Sequence, residues 1–93
     1  MNVGVANLRI KLFGISSLKE KRSIVKNLLN FIRKKYNVSV SEIGAQDSKD
    51  FLELGVAMIS NDRDLIHNVF ESIADYIEFH EGLEIEELEK ELW

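Results

Sequence analysis

The sequence predicts an α+β sandwich of order βαββαβ, in which two helices cover one face of a four-stranded antiparallel sheet. Three observations carry this. Two stretches, Val3 to Phe13 and Phe51 to Ser60, place their apolar residues with the period of two that marks a strand. Two others, from about Leu18 to Lys35 and from about Asp62 to Phe79, repeat apolar residues at helical spacing behind capping residues. Each helix then has one apolar arc that must be buried, and a sheet face is the partner on offer. At 93 residues the chain is read as a single domain over 1–93 with one thin core.

In the first strand Ala6, Leu8, Ile10 and Leu12 point one way and Asn7, Arg9 and Lys11 the other; Gly14, Ile15 and Ser16 break it. Ser17 and Glu20 form the S-x-x-E pattern of a capping box, in which a hydroxyl accepts an orphan backbone N–H and the carboxylate reaches back. On the helix that follows, Leu18, Ile24, Val25, Leu28, Leu29, Phe31, Ile32 and Tyr36 share one broad arc. Asn37 is expected as a left-handed cap. A second strand covers Val38 to Ile43, with a slip between Val40 and Ile43 that suggests a bulge on an edge strand. The third strand, Phe51 to Ser60, is apolar on both faces, the mark of a central strand. Asp62 and Asp64 suit the start of the second helix. Leu65, Ile66, Val69, Phe70, Ile73 and Ile77 form its buried face, and Gly82 follows it as a stop. Leu83 to Trp93 reads as a fourth strand with a bulge near Glu86 and Glu87, a short helix being the alternative. The ferredoxin-like split βαβ arrangement satisfies all of this with right-handed connections, and it makes the first and third strands central.

Several function classes drop out. Cysteine is absent, so disulfides, thiolate zinc sites and a cysteine nucleophile are excluded. No apolar run reaches membrane-spanning length, and the N-terminus lacks a signal-peptide pattern; a cytoplasmic protein is expected. His67 and His80 lie thirteen positions apart without an i, i+4 histidine partner, so no metal is expected. The five glycines are scattered, with no phosphate-cradling loop, and no cofactor is expected. Ser16, Ser17 and Ser23 have no nucleophile-elbow context. On the open face of the central strands no aromatic sits mid-strand to stack a base, and a cross-strand Arg9–Glu53 contact is the natural use of those charges.

The combined pattern resembles a known family. Ser17-Leu18-Lys19-Glu20-Lys21-Arg22 resembles the SLKxKR signature of the YlxP-like family, small bacterial proteins of unknown function. Asn37 to Glu42 resembles its NVSVAE strand, and Gln46-Asp47 and Leu54 to Asp62 match at the same spacing. The resemblance covers the chain from about Gly4 onward. It implies a ferredoxin-like sandwich, with no active site to carry over, and members are often encoded beside translation and ribosome-maturation genes. Ser48 and Lys49 depart from it, standing where the family often has an apolar residue and a tryptophan.

Charge is the sharpest remaining feature. The net charge of −4 hides a split: nine cations and one acid through Tyr36 (+8), then three cations and fifteen acids (−12). The simpler reading is that one half pairs with the other; the alternative is an interaction surface. On the first helix Lys19, Arg22, Lys26 and Arg33 fall within about 60° of one another. A solvated polar face is the default for such a stripe, with long stems lying over the apolar flank. The sharper reading is contact with RNA, or with the ribosome, through backbone phosphates. Lys21 points to the core side of the first turn. It is either a snorkelling stem at a frayed end or an ammonium holding an anion beside the helix N-terminus. On the second helix Asp64, Glu71, Asp75 and Glu78 form an acidic stripe with His67. Three functions follow: an RNA- or ribosome-associated binding module using Lys19, Arg22, Lys26 and Arg33, with Lys21 as a further contact; a structural or regulatory homodimer whose interface is the open sheet face around Val5, Phe51, Ala57 and Ile59; and an enzyme with a site near Lys21 and Asp47.

Overall fold

A computed structural model describes residues 1–93. The chain runs β1 (Asn2–Lys11), α1 (Leu18–Lys35), β2 (Ser39–Gly44), β3 (Phe51–Ser60), α2 (Arg63–Phe79) and β4 (Glu84–Leu92). The sheet order is β2-β3-β1-β4 and every neighbouring pair is antiparallel, so the fold is ferredoxin-like with the first and third strands central. The C-terminal segment is a strand, not a helix.

β1 and β3 pair without a slip from Asn2↔Ser60 to Lys11↔Phe51. This register sets the two faces. Ala6, Leu8 and Ile10 lie beside Val56, Leu54 and Leu52 beneath the helices, where they join Val25, Leu28 and Ile32 of α1 and Ile66, Phe70, Ile73 and Ile77 of α2 in one core. Each of the larger of these side chains contributes roughly 1.5–3 kcal/mol on burial, which is what holds two otherwise marginal helices in place. Gly4 marks the closest approach of β1 to α2: a Cβ there would overlap Ile66 Cγ2.

Helix ends follow local chemistry. Ser17 is the N-cap of α1, its Oγ accepting the Glu20 amide at 3.1 Å. The Glu20 carboxylate reaches one residue further back than a capping box requires, to the amide and hydroxyl of Ser16. At the other end Tyr36, not Asn37, caps the helix, and it does so in extended conformation (φ −124°). Its phenol is held on α2 by Ser72 at 2.5 Å, so the chain leaves straight into β2 without a left-handed turn. Asp62 caps α2 through the amides of Asp64 and Leu65, and Gly82 takes φ +66° after its end.

Both edge strands are interrupted. β2 slips between Glu42 and Gly44, and β4 shifts opposite Arg9 and Ile10, where Glu86 is the extra residue. Bulges and charge on edge strands oppose further strand pairing.

Candidate nucleic-acid interface

The outer face of α1 keeps three of the predicted cations free. Lys19, Arg22 and Lys26 are exposed, and no carboxylate lies within ion-pair distance of any of them. The one acid in this helix, Glu20, is turned back onto Ser16; the Ser16 hydroxyl and amide bonds hold its carboxyl below the usual range. Arg33 is exposed too, but one arm of its guanidinium donates to the Val40 carbonyl at 2.9 Å, pinning the end of α1 to β2. Lys34 and Lys35 extend the positive region, with the Lys35 ammonium 5.7 Å from the centres of the Phe31 and Tyr36 rings.

Lys21 leaves the stripe altogether. It is 1% exposed and the largest fully buried side chain of the protein. Its Nζ donates to the Ala45 carbonyl at 2.5 Å and lies 3.3 Å from Glu42 Oε2. That carboxylate oxygen is buried with no directed hydrogen bond, so the contact with Lys21 is an ion pair of imperfect geometry. Lys21 is therefore neither a snorkelling stem nor an ammonium available to an external anion or a phosphate. Lys21, Val25, Leu28 and Ile32 are the four buried residues of α1, spaced 4, 3 and 4 apart, and the cation occupies the core end of that row. Glu42 comes into reach of this cation because β2 bulges there, and Ala45, just after the strand, adopts φ +55° and aims its carbonyl inward. The structure does not gather Lys21 and Asp47 around a shared depression. Asp47 is exposed in the loop after β2, and none of the surface depressions is lined by Lys21 or Asp47.

The two halves of the chain do not neutralise each other. The ion pairs are Arg9–Glu53, Lys21–Glu42 and Lys90–Glu71, so only two of the nine early cations find a later acid. The helices meet through apolar and hydroxyl groups: Phe31 stacks on Tyr76 with centroids 3.7 Å apart, beside the Tyr36–Ser72 bond. On α2, Glu71 is taken by Lys90 of β4, whose Nζ also lies 3.2 Å from His67 Nδ1. The Lys90 bond holds the Glu71 carboxyl below its ordinary range. No three His, Asp or Glu side chains converge as a metal site.

The open sheet face collects the four other predicted residues. Val5 pairs with Ala57, Val3 with Ile59, and Phe51 lies at the far end under the Arg9 guanidinium, 4.1 Å from the ring centroid. Ile59 is 65% exposed, while Val5, Phe51 and Ala57 are half-buried. The expected Arg9–Glu53 contact is present mid-face. One residue was missed. Trp93 continues β4 by two backbone bonds to Val3, each 2.8 Å, and stands exposed at the apolar end. The alternation of Leu83 and Ile85 had pointed to a strand, but the later bulge decides which side chains share its face.

No helix is long and apolar enough to cross a membrane. A family model described as "Protein of unknown function (DUF503)" matches residues 3–90. The chain is 39% identical over 61 residues to the Uncharacterized protein YlxP of Bacillus subtilis (strain 168), a match spanning 66% of each chain. Among solved structures, the de novo designed protein LFR1 1 with ferredoxin fold aligns with TM-score 0.55 at 14% identity, covering 100% of this chain and 83% of that one. SnoaB, a cofactor-independent oxygenase from Streptomyces nogalater, aligns with TM-score 0.54 at 14% identity, covering 99% and 90%. At these identities the likeness is one of fold.

Proposed function

We propose that this chain, which belongs to the family described as "Protein of unknown function (DUF503)", is a single-domain, non-enzymatic binding module of the cytoplasm that holds RNA, free or within the ribosome, by its phosphates. The observation that carries this reading is the outer face of α1, where Lys19, Arg22 and Lys26 stand exposed with no acid of the protein against them. With Arg33 they span fourteen positions, roughly 21 Å of helix. Cations in such a row neutralise successive phosphates and release counterions, which gives affinity without sequence readout. The unpaired acids of α2 and β4 repel a polyanion, so binding is confined to the α1 side. With no aromatic mid-face on the central strands, base stacking contributes nothing.

The test replaces Lys19, Arg22 and Lys26 together with Gln and leaves Arg33, which holds β2. Affinity for duplex RNA and for ribosomal subunits is measured between 50 and 200 mM salt. At about 0.9 per phosphate, three contacts account for about 2.7 of the log–log salt slope, or roughly a forty-fold loss of affinity over that range. The variant is expected to lose this part of the slope with an unchanged circular dichroism spectrum. A wild-type slope in the variant overturns the reading.

A second reading rests on a separate observation. One end of the open sheet face carries Val3, Val5, Ala57, Ile59 and Trp93, with Ile59 and Trp93 each 65% exposed. Covering that patch with a second copy makes the chain a homodimer, which is compatible with RNA on the opposite side of the molecule.

A further inference from the structure

We infer that two copies meet face to face across their open sheets about a twofold axis running parallel to the strands, midway between β1 and β3. The inference rests on the homodimer reading and specifies its geometry.

The open face is a grid whose rows are fixed by the strand register. From one end the rows across β3 and β1 are Ile59–Val3, Ala57–Val5, Gly55–Asn7, Glu53–Arg9 and Phe51–Lys11. Outside them, β4 adds Trp93, Glu91, Glu89 and Glu87 beside Val3, Val5, Asn7 and Arg9. On the other flank β2 adds Ser39 beside Ala57 and Ser41 beside Gly55. The face is thus apolar at one end, has a paired cation and anion further along, and carries an acidic column on one flank and hydroxyls on the other.

An axis along the strands keeps every row at its own level and exchanges the strands, laying β1 on the partner's β3 and β4 on the partner's β2. Val3 then meets the partner's Ile59, so the apolar ends close on each other. Arg9 meets the partner's Glu53 and Glu53 the partner's Arg9, giving a ring of four alternating charges. The acidic column, Glu89 and Glu91, falls on the partner's Ser41 and Ser39. Ile43 is 53% exposed and projects over its own Gly55. It forms one wall, with Glu53, of a groove of about 200 Å³ whose other wall is Glu87 and Glu89 and whose floor is Asn7 and Arg9, and the axis sets the partner's Ile43 over the Asn7 and Glu89 side of that groove. An axis across the strands does the opposite. It lays β4 on the partner's β4, acid against acid, and the apolar end on the polar end. Either axis keeps the strands of the two sheets aligned, as face-to-face packing requires, so the choice between them rests on the charge and apolar pattern; an isologous contact of this kind closes after two copies.

The area is sufficient. The strands hold 10, 6, 10 and 9 residues; at about 3.4 Å along and about 4.8 Å across they give a face of roughly 570 Å², or about 1,150 Å² over both copies, above the roughly 1,000 Å² that a specific interface should clear.

The test uses charge reversal read by sedimentation velocity. Wild type is expected to be a dimer at micromolar concentration. Arg9→Glu places four acids in the central row and Glu53→Arg four cations, so each variant alone is expected to be monomeric. An equimolar mixture is expected to form the heterodimer, and the double variant to dimerise again. Ser41→Lys, on an exposed edge position that the fold does not need, sets a cation over the partner's Glu89 at two symmetric places. It is expected to tighten the dimer by roughly five- to twenty-fold, each pair being worth up to about five-fold. This second arm stands if either reversal fails to fold. Charge-reversed variants that remain dimeric, or a weakened dimer with Ser41→Lys, overturn the axis and leave self-association standing. A monomeric wild type overturns both.

Discussion

Removing the buried ammonium of Lys21 tests how the first turn of α1 is held. Lys21→Met keeps the length and the apolar stem and deletes three donors. Two acceptors lose a partner: the Ala45 carbonyl, bonded at 2.5 Å, and Glu42 Oε2 at 3.3 Å. A hydrogen bond from a charged donor contributes about 1.5–3 kcal/mol, and breaking a buried ion pair by removing one partner costs about 3–5 kcal/mol. The Glu42 side chain keeps 19% of its surface in water and can turn outward, which places the total near the lower end of that range, about 3 kcal/mol. For a domain of this size that lowers Tm by roughly 12–24 °C. Urea unfolding of wild type, Lys21→Met, Glu42→Gln and the double variant completes a cycle. Glu42→Gln leaves the ammonium on the Ala45 carbonyl and is expected to cost less than Lys21→Met. The double variant is expected to cost no more than Lys21→Met alone, because it has neither an ammonium to lose its partner nor a carboxylate left unpaired. A loss below about 1 kcal/mol for Lys21→Met, or strict additivity in the cycle, refutes a pair that ties α1 to the β2 bulge.

Two further outcomes follow from close contacts elsewhere. Gly4→Ala drives a methyl into Ile66 Cγ2 on a helix that packs tightly against β1. It is expected to cost about 1–3 kcal/mol by chemical denaturation, and a neutral result would mean that α2 has room to move. Lys90 holds the Glu71 carboxyl below its ordinary 4.5. A depressed folded pKa stabilises above the unfolded value and loses that contribution as pH falls through the folded one. Wild type is therefore expected to lose more stability than Lys90→Gln on acidification below about pH 4.5, and the Glu71 carboxyl of the variant to titrate closer to 4.5 by NMR. Superimposable acid titrations of the two proteins would sink the link.

The elements were legible because the local signals agree with one another. Capping residues, helical spacing and period-two alternation fixed α1 over Leu18–Lys35 and β3 over Phe51–Ser60. The cap at Asn37 was misplaced because the residue that ends the helix is chosen by a tertiary contact, Tyr36 on Ser72, and no neighbour in sequence announces it. The stripe of Lys19, Arg22 and Lys26 was legible because helical periodicity alone puts those residues outside. Lys21 was legible only halfway. Its angle on the wheel pointed inward, yet the expectation of a snorkelling stem assumed that no acid would be waiting. The bulge in β2, which the slip between Val40 and Ile43 does mark, supplies the acid, and the left-handed Ala45 just after the strand supplies the carbonyl; an alanine gives no sign of that backbone conformation. Pairing between the basic and acidic halves was the economical expectation. It fails because α1 and α2 meet through Phe31, Tyr76, Tyr36 and Ser72, which leaves their charged faces turned away from each other.

The two surfaces lie on opposite sides of one sheet, and that separation constrains how they work together. A twofold contact through the open faces puts both helix layers outermost, so the two α1 stripes point away from each other across about three layer spacings of roughly 10 Å. No single short duplex reaches both. Each stripe then binds as it would in a monomer, and pairing adds affinity only where a long or folded RNA offers two phosphate tracks far enough apart to be engaged at once. A dimer of this geometry would in that sense bridge RNA segments and not clamp one. The acids of β4 would then serve both proposed surfaces: against the partner's β2 hydroxyls they would select the axis, and against a polyanion they would keep the sheet side clear.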